Sequence, residues 1–114
     1  MLLLTNKKDQ EDRDNNTSAV ATLEKPKVKK PPLYRVILHN DDYTPMELVV
    51  ISLVAFFHRS NEDAFKIMMH VHEKGKGIAQ GGLSREIAET KCNRVVQWFR
   101  EQGYPLLATF ESEE

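Results

Sequence analysis

From residue 33 onward the apolar positions fall into short runs and helical stripes, and polar turn residues separate them. Tyr34-Arg35-Val36-Ile37-Leu38 is short, apolar and β-branched, and it ends in Asn40-Asp41-Asp42. This pattern predicts a strand running into a turn. Thr44-Pro45-Met46-Glu47 then reads as a helix start, with Thr44 as the cap, Pro45 at the first helical position and Glu47 completing a capping box. Met46, Val49, Val50, Leu53, Val54 and Phe57 follow at spacings of three and four, the apolar stripe of a helix. Ser60-Asn61-Glu62-Asp63 opens a second helix, which turns Ala64, Ile67, Met68 and Val71 inward and stops at Gly75. Lys76 to Leu83 holds three glycines and reads as a strand or loop with a tight bend. Ser84 caps a third helix with Ala88, Cys92, Val95 and Phe99 on one face and Trp98 beside it, and Gly103 ends it. Leu106 to Phe110 is a last short strand. The order β-α-α-β-α-β predicts a small α+β domain, a three-stranded, mainly antiparallel sheet packed against three helices.

Residues 1–32 lack this pattern. They contain seven Lys/Arg, five Asp/Glu and no aromatic residue, and they end in the basic, proline-broken run Lys25 to Pro32. Such a stretch buries too little apolar surface to offset its ordering entropy, so a flexible extension and linker is expected there, with the folded domain over 33–114.

Composition narrows the function. A chain of 114 residues with 40% apolar and 29% charged residues has room for one globular domain. A formal net charge of −1 argues against a nucleic-acid binder. A single cysteine, Cys92, rules out an internal disulfide and a multi-thiolate zinc site. Met1 to Leu4 is too short an apolar run for a signal peptide or membrane span. A cytoplasmic protein with no membrane association is therefore expected, and it is also expected to be a monomer.

Three clusters offer chemistry. Asn40-Asp41-Asp42, between a strand and a helix, is either an Asx turn or an acceptor-rich lip able to receive a cation. His70 and His72 suggest a metal, and with Asp41 and Asp42 they would make a small metal-dependent enzyme. On a helix, however, residues two apart point about 200° away from each other. Met68 and His72 share one helical face, and Met46 and Val49 share another. If those faces meet, they form either ordinary core or a soft-walled cleft with an imidazole at its rim. Gly75-Lys76-Gly77 lacks the spacing of a phosphate-binding loop.

The run Tyr34 to Glu47 closely resembles the opening of the ClpS family. Met68, Val71-His72, Gly75-Lys76-Gly77, Arg85 to Lys91 and Pro105-Leu106-Leu107 match further family motifs in order. The resemblance covers nearly all of residues 33–111. It implies a protease adaptor with no catalytic activity, cofactor or metal of its own. ClpS proteins bind N-degron substrates by a free α-amino group and a bulky apolar first residue (Phe, Leu, Trp or Tyr), and deliver them to the N-domain of the ClpA unfoldase of ClpAP. By resemblance, Asn40, Asp41 and His72 receive the α-amino group. Thr44, Met46, Val49, Met68, Val71 and Leu106 form the side-chain pocket, with Met46 screening against β-branched first residues. Glu86 and Lys91 dock the unfoldase, and the N-terminal extension is engaged during hand-over. The sequence departs from the family pattern at His39, His70, the Gly81-Gly82 pair and Trp98. A relative that docks on the unfoldase with narrowed or lost N-degron binding is the alternative.

Overall fold

The computed structural model describes residues 30–114, and the expected flexible extension lies almost wholly outside them. Pro31–Glu114 close into one compact unit. Its elements are β1 (Tyr34–His39), α1 (Met46–Phe57), α2 (Asn61–Lys74), β2 (Lys76–Leu83), α3 (Arg85–Glu101) and β3 (Leu107–Ser112), the α+β order expected from the apolar pattern. The sheet order is β2-β1-β3, with β1 antiparallel to both neighbours.

β1 is central, and its alternation sets the layers. Val36 and Leu38 belong to the core cluster, to which α1 contributes Leu53 and Phe57, α2 Ala64, and α3 Ala88, Cys92, Val95 and Phe99. Residues two apart on a strand share a face, so the helices cover the Val36/Leu38 face. Ile37 points the other way and is also buried, at 5% exposure. Trp98 fits beside the core by meeting Phe56 edge-on at 6.0 Å and Phe99 at 4.9 Å between ring centroids.

Helix ends follow the local sequence in two of three cases. The Ser60 hydroxyl accepts from the Asp63 amide (3.1 Å) and Ser84 from the Ile87 amide (3.2 Å), so both serines cap as expected. Thr44 does not cap α1. Pro45 occupies the cap position, and no side chain bonds the first turn. The Thr44 hydroxyl instead donates to Asp41 Oδ2 at 2.7 Å, because the turn presents a carboxylate three residues earlier.

β2 is a strand with two register shifts against β1, each adding one residue to β2. The glycine pair explains one of them. Gly82 has φ +68°, and its amide donates to the Glu113 carboxylate at 3.1 Å, while a Cβ at Gly81 would collide with that same carboxylate. The final strand starts one residue later than expected and runs two residues further, because Arg35 pairs with Glu111 (2.6 Å) and Tyr34 aligns with Ser112. Leu106 is left just outside the strand, at 1% exposure.

Gly75 ends α2 with φ +93°, where its amide donates to the Val71 carbonyl at 2.9 Å. A side chain there is strained in the left-handed region even though the space is open. Gly75→Ala is expected to lower the unfolding free energy by about 1–2 kcal/mol, measured by urea denaturation; an unchanged midpoint would show that α2 ends there without strain.

Candidate functional site

The turn after β1 is built by one carboxylate. Asp41 Oδ1 accepts the amides of Tyr43 (2.7 Å) and Thr44 (2.8 Å), and Oδ2 accepts the Thr44 hydroxyl. The cluster is thus an Asx turn, and the same turn lifts Asn40 and Asp42 onto a lip. Burial pushes the Asp41 carboxyl up. The Thr44 hydroxyl, the two amides and the Arg100 guanidinium outweigh that and hold it below its ordinary value of 3.8.

A second constraint brings α2 to the lip. The Asn40 amide donates to the Gly75 carbonyl at 2.9 Å, joining the end of β1 to the end of α2. His39 pairs with Lys76 in the sheet, so the chain leaves α2 and enters β2 beside the lip. His72, one turn before that junction, faces Asn40, Asp41 and Asp42 across a recess of about 360 Å³. This volume lies at the small end of ligand clefts, which run from about 300 to 1,000 Å³.

Thr44, Met46, Val49, Met68 and Val71 line the same recess. Val49, Met68 and Val71 form its buried floor, and Met46, 41% exposed, stands at its mouth. The methionines and valines are therefore neither wholly core nor wholly cleft, since Val49, Met68 and Val71 also belong to the core cluster. Leu106 is not among the lining residues; it is buried in that cluster. Among the described residues, the Asn40 side chain and the His72 imidazole make no hydrogen bond to protein, so both face the recess unpaired. Asp42, Tyr43 and Pro45 also line it, although the family resemblance had placed none of the three in the pocket.

The other expected residues lie elsewhere. Glu86 is exposed in the first turn of α3. Lys91 is half-buried further along that helix and donates to Gln80 Oε1 at 2.7 Å, with burial pulling its ammonium pKa down. His70 opens onto a different recess from His72, and among the described residues no three His, Cys, Asp or Glu side chains converge as a metal site. Cys92 donates to the Ala108 carbonyl at 3.0 Å; burial and then the nearby Glu89 push its thiol pKa up, leaving a poor nucleophile.

Arg100 was not expected from sequence. Its Nη1 donates to the carbonyls of Tyr104 (3.0 Å) and Leu106 (2.7 Å), holding the segment between α3 and β3, and its charge acts on Asp41. A basic residue in the last helical turn just ahead of Gly103 was the available signal.

The arrangement is a small α+β binding module in which unpaired acceptors border an apolar floor, suited to a cation attached to an apolar group. Comparison with known proteins places it. Residues 29–109 match the family model described as ATP-dependent Clp protease adaptor protein ClpS. The ClpS adaptors of Phenylobacterium zucineum and Caulobacter vibrioides are 52% and 50% identical over 96 residues, each alignment covering 84% of this chain and 87% of the relative. The solved structure of Agrobacterium tumefaciens ClpS2 bound to L-phenylalaninamide superposes with a TM-score of 0.71 at 40% identity, over 74% of this chain and all of that one. The chain belongs to the ClpS family of Clp protease adaptors, which are not enzymes.

The Asp41 turn yields a signed prediction. A carboxylate with a lowered folded-state pKa contributes stability above its unfolded value, and that contribution disappears as pH falls through the folded value. The Asp41 carboxyl is expected to titrate below 3.8 by NMR, and Thr44→Val, which removes the largest lowering contact, should move its midpoint upward. An unmoved midpoint would mean that the hydroxyl does not hold the charge.

Proposed function

We propose that this adaptor recognises N-degron substrates in the recess between the residue 40–44 turn and α2, and delivers them to a ClpA-type unfoldase. The observation that carries this reading is the convergence of Asn40, Asp41 and His72 on one rim above the Val49–Met68–Val71 floor. The ligand of the similar Agrobacterium structure supports it, since L-phenylalaninamide combines a free α-amino group with an aromatic side chain.

An α-amino group has a pKa of about 7.7–8.0 and is mostly protonated at neutral pH. In this reading Asn40 Oδ1 accepts one ammonium proton and a neutral His72 nitrogen accepts another. Asp41 is committed to its turn, so it acts by charge and through water. The first side chain enters past Met46 and rests on Val49, Met68 and Val71, with Thr44 on one wall and Leu106 supporting the layer beneath. Burying a Phe or Leu side chain contributes about 1.5–3 kcal/mol. A blocked terminus or internal residue leaves the acceptors unpaired, a penalty of about 1–3 kcal/mol. In this reading Met46, exposed at the mouth, meets a branch at the first Cβ and so disfavours Ile and Val. Glu86 and Lys91 would dock the unfoldase's N-domain, and the N-terminal extension would be engaged during hand-over.

Fluorescence anisotropy with short labelled peptides tests this. Peptides beginning Phe, Leu, Trp or Tyr should bind about 10- to 150-fold tighter than the same peptide beginning Ala. Acetylation of the terminus, Asn40→Ala or His72→Ala should each cost about tenfold or more. Above about pH 8, affinity should fall as the amine loses its proton. Equal binding of Phe- and Ala-initiated peptides would leave only the alternative, a relative that docks on the unfoldase without N-degron binding.

A further inference from the structure

A second and larger recess, of about 580 Å³, lies on the other flank of α2. Its floor is three isoleucines: Ile37 from the open face of β1, Ile78 from β2 and Ile67 from α2. Ile37 and Ile78 are direct cross-strand partners. Ile78 is 47% exposed and Ile67 half-buried, whereas Ile37 is buried, so the apolar surface left uncovered on this floor is chiefly Ile78. Lys66 and Lys74 line one wall from α2, with His70 between them, and Lys76 stands at the end of β2. The one acid lining the recess, Glu111, is already engaged by Arg35 at 2.6 Å. Among the described residues, none of the three lysines has an acidic partner within salt-bridge distance. In a chain of net charge −1, this is a local concentration of positive charge without acidic partners among the described residues.

The two recesses are adjacent. His70 and Lys74 face this one, while Val71 and His72 face the amine recess, so the last turns of α2 form the wall between them. Lys76 pairs with His39, the residue before Asn40. A chain anchored by its first residue at Asn40 and His72 would meet Lys74 and Lys76 if it left over the C-terminal end of α2.

We propose that this recess binds a downstream segment of the same substrate, an extended acidic stretch carrying a branched apolar side chain. The inference rests on the N-degron reading above. Charge complementarity selects acidic residues, and the isoleucine floor selects a peptide over a nucleic acid, whose backbone has no apolar side chain to place there. From His72 to Lys66 is six residues of helix, about 9 Å along its axis. At about 3.3 Å per extended residue, and allowing for the path around the helix, the contact falls at about substrate positions 4 to 10.

The test uses the full chain and two fluorescein-labelled peptides, both beginning with Phe. One carries Asp/Glu and Val/Ile alternately over positions 4 to 10, and the other has Asn/Gln in place of the acids. The acidic peptide should bind about three- to tenfold tighter at low salt, and the difference should vanish near 0.5 M NaCl. Lys66→Glu with Lys74→Glu, both at exposed positions, should remove the difference and leave the neutral peptide's affinity unchanged. Equal affinities for the two peptides, or a preference that survives the charge reversal, would overturn the proposal while leaving the first-residue pocket intact. The acidic peptide with an acetylated amino terminus reads the recess by itself. NMR shifts at Ile37, Ile67 and Ile78 support the inference even if first-residue binding fails, and their absence rejects it. Displacement by a single-stranded oligonucleotide with no such shifts from the peptide would assign the patch to polyanions instead.

Discussion

The hydrogen bond from the Asn40 amide to the Gly75 carbonyl joins two segments that the sequence separates by a pair of helices. It extends the β1–β2 ladder past His39 and Lys76 by one more bond, at the point where the lip begins and α2 ends. With it, the acceptors after β1 stand at a set distance from the last turn of α2. The bond depends on the left-handed conformation of Gly75, which ends α2 and turns the chain directly into β2. The pairing of His39 with Lys76 then continues the same alignment into the sheet. The site is thus an outcome of where a helix stops. Its polar half needs only a turn, and its apolar half is borrowed from core residues already held in place.

That sharing explains why the site is compact and why its nature was ambiguous. Val49, Met68 and Val71 pack in the core cluster and also face the recess. Helical spacing identifies an inward-facing residue but not the group standing opposite it, so periodicity alone could not separate core from pocket. The element order, the inner faces of α2 and α3 and the serine caps were all legible, because each depends on residues close in sequence. The roles proposed for Asn40 and His72 came from resemblance to a family, since no local rule links positions 32 residues apart.

The misread features share one cause, a competing partner supplied by the fold. Thr44 has the chemistry of a cap, but Asp41 offers a charged acceptor, and a hydrogen bond to a carboxylate is the stronger one. Leu106 looked like a strand residue, but Arg100 takes its carbonyl from within the preceding helix. The Gly81-Gly82 pair, noted as a departure from the family pattern, makes room for the Glu113 carboxylate from the far end of the chain. Only Glu113 is distant in sequence; Asp41 and Arg100 lie three and six residues from the groups they engage, and what the local pattern did not rank was their strength as partners.

α2 shows how one short helix serves three environments. Ala64 packs inward, Met68, Val71 and His72 meet the lip, and Lys66, Ile67, His70 and Lys74 flank the basic recess. A period of 3.6 residues lets neighbours in sequence, such as His70 and His72, face different chemistry. This geometry is what removes the metal reading suggested by the His-x-His spelling. It also means that a change to one face need not disturb the others, because core packing on Ala64, Met68 and Val71 holds the helix whatever its basic flank contacts. On the proposed reading, selectivity for a substrate's first residue and for its later residues can therefore vary separately on one rigid element.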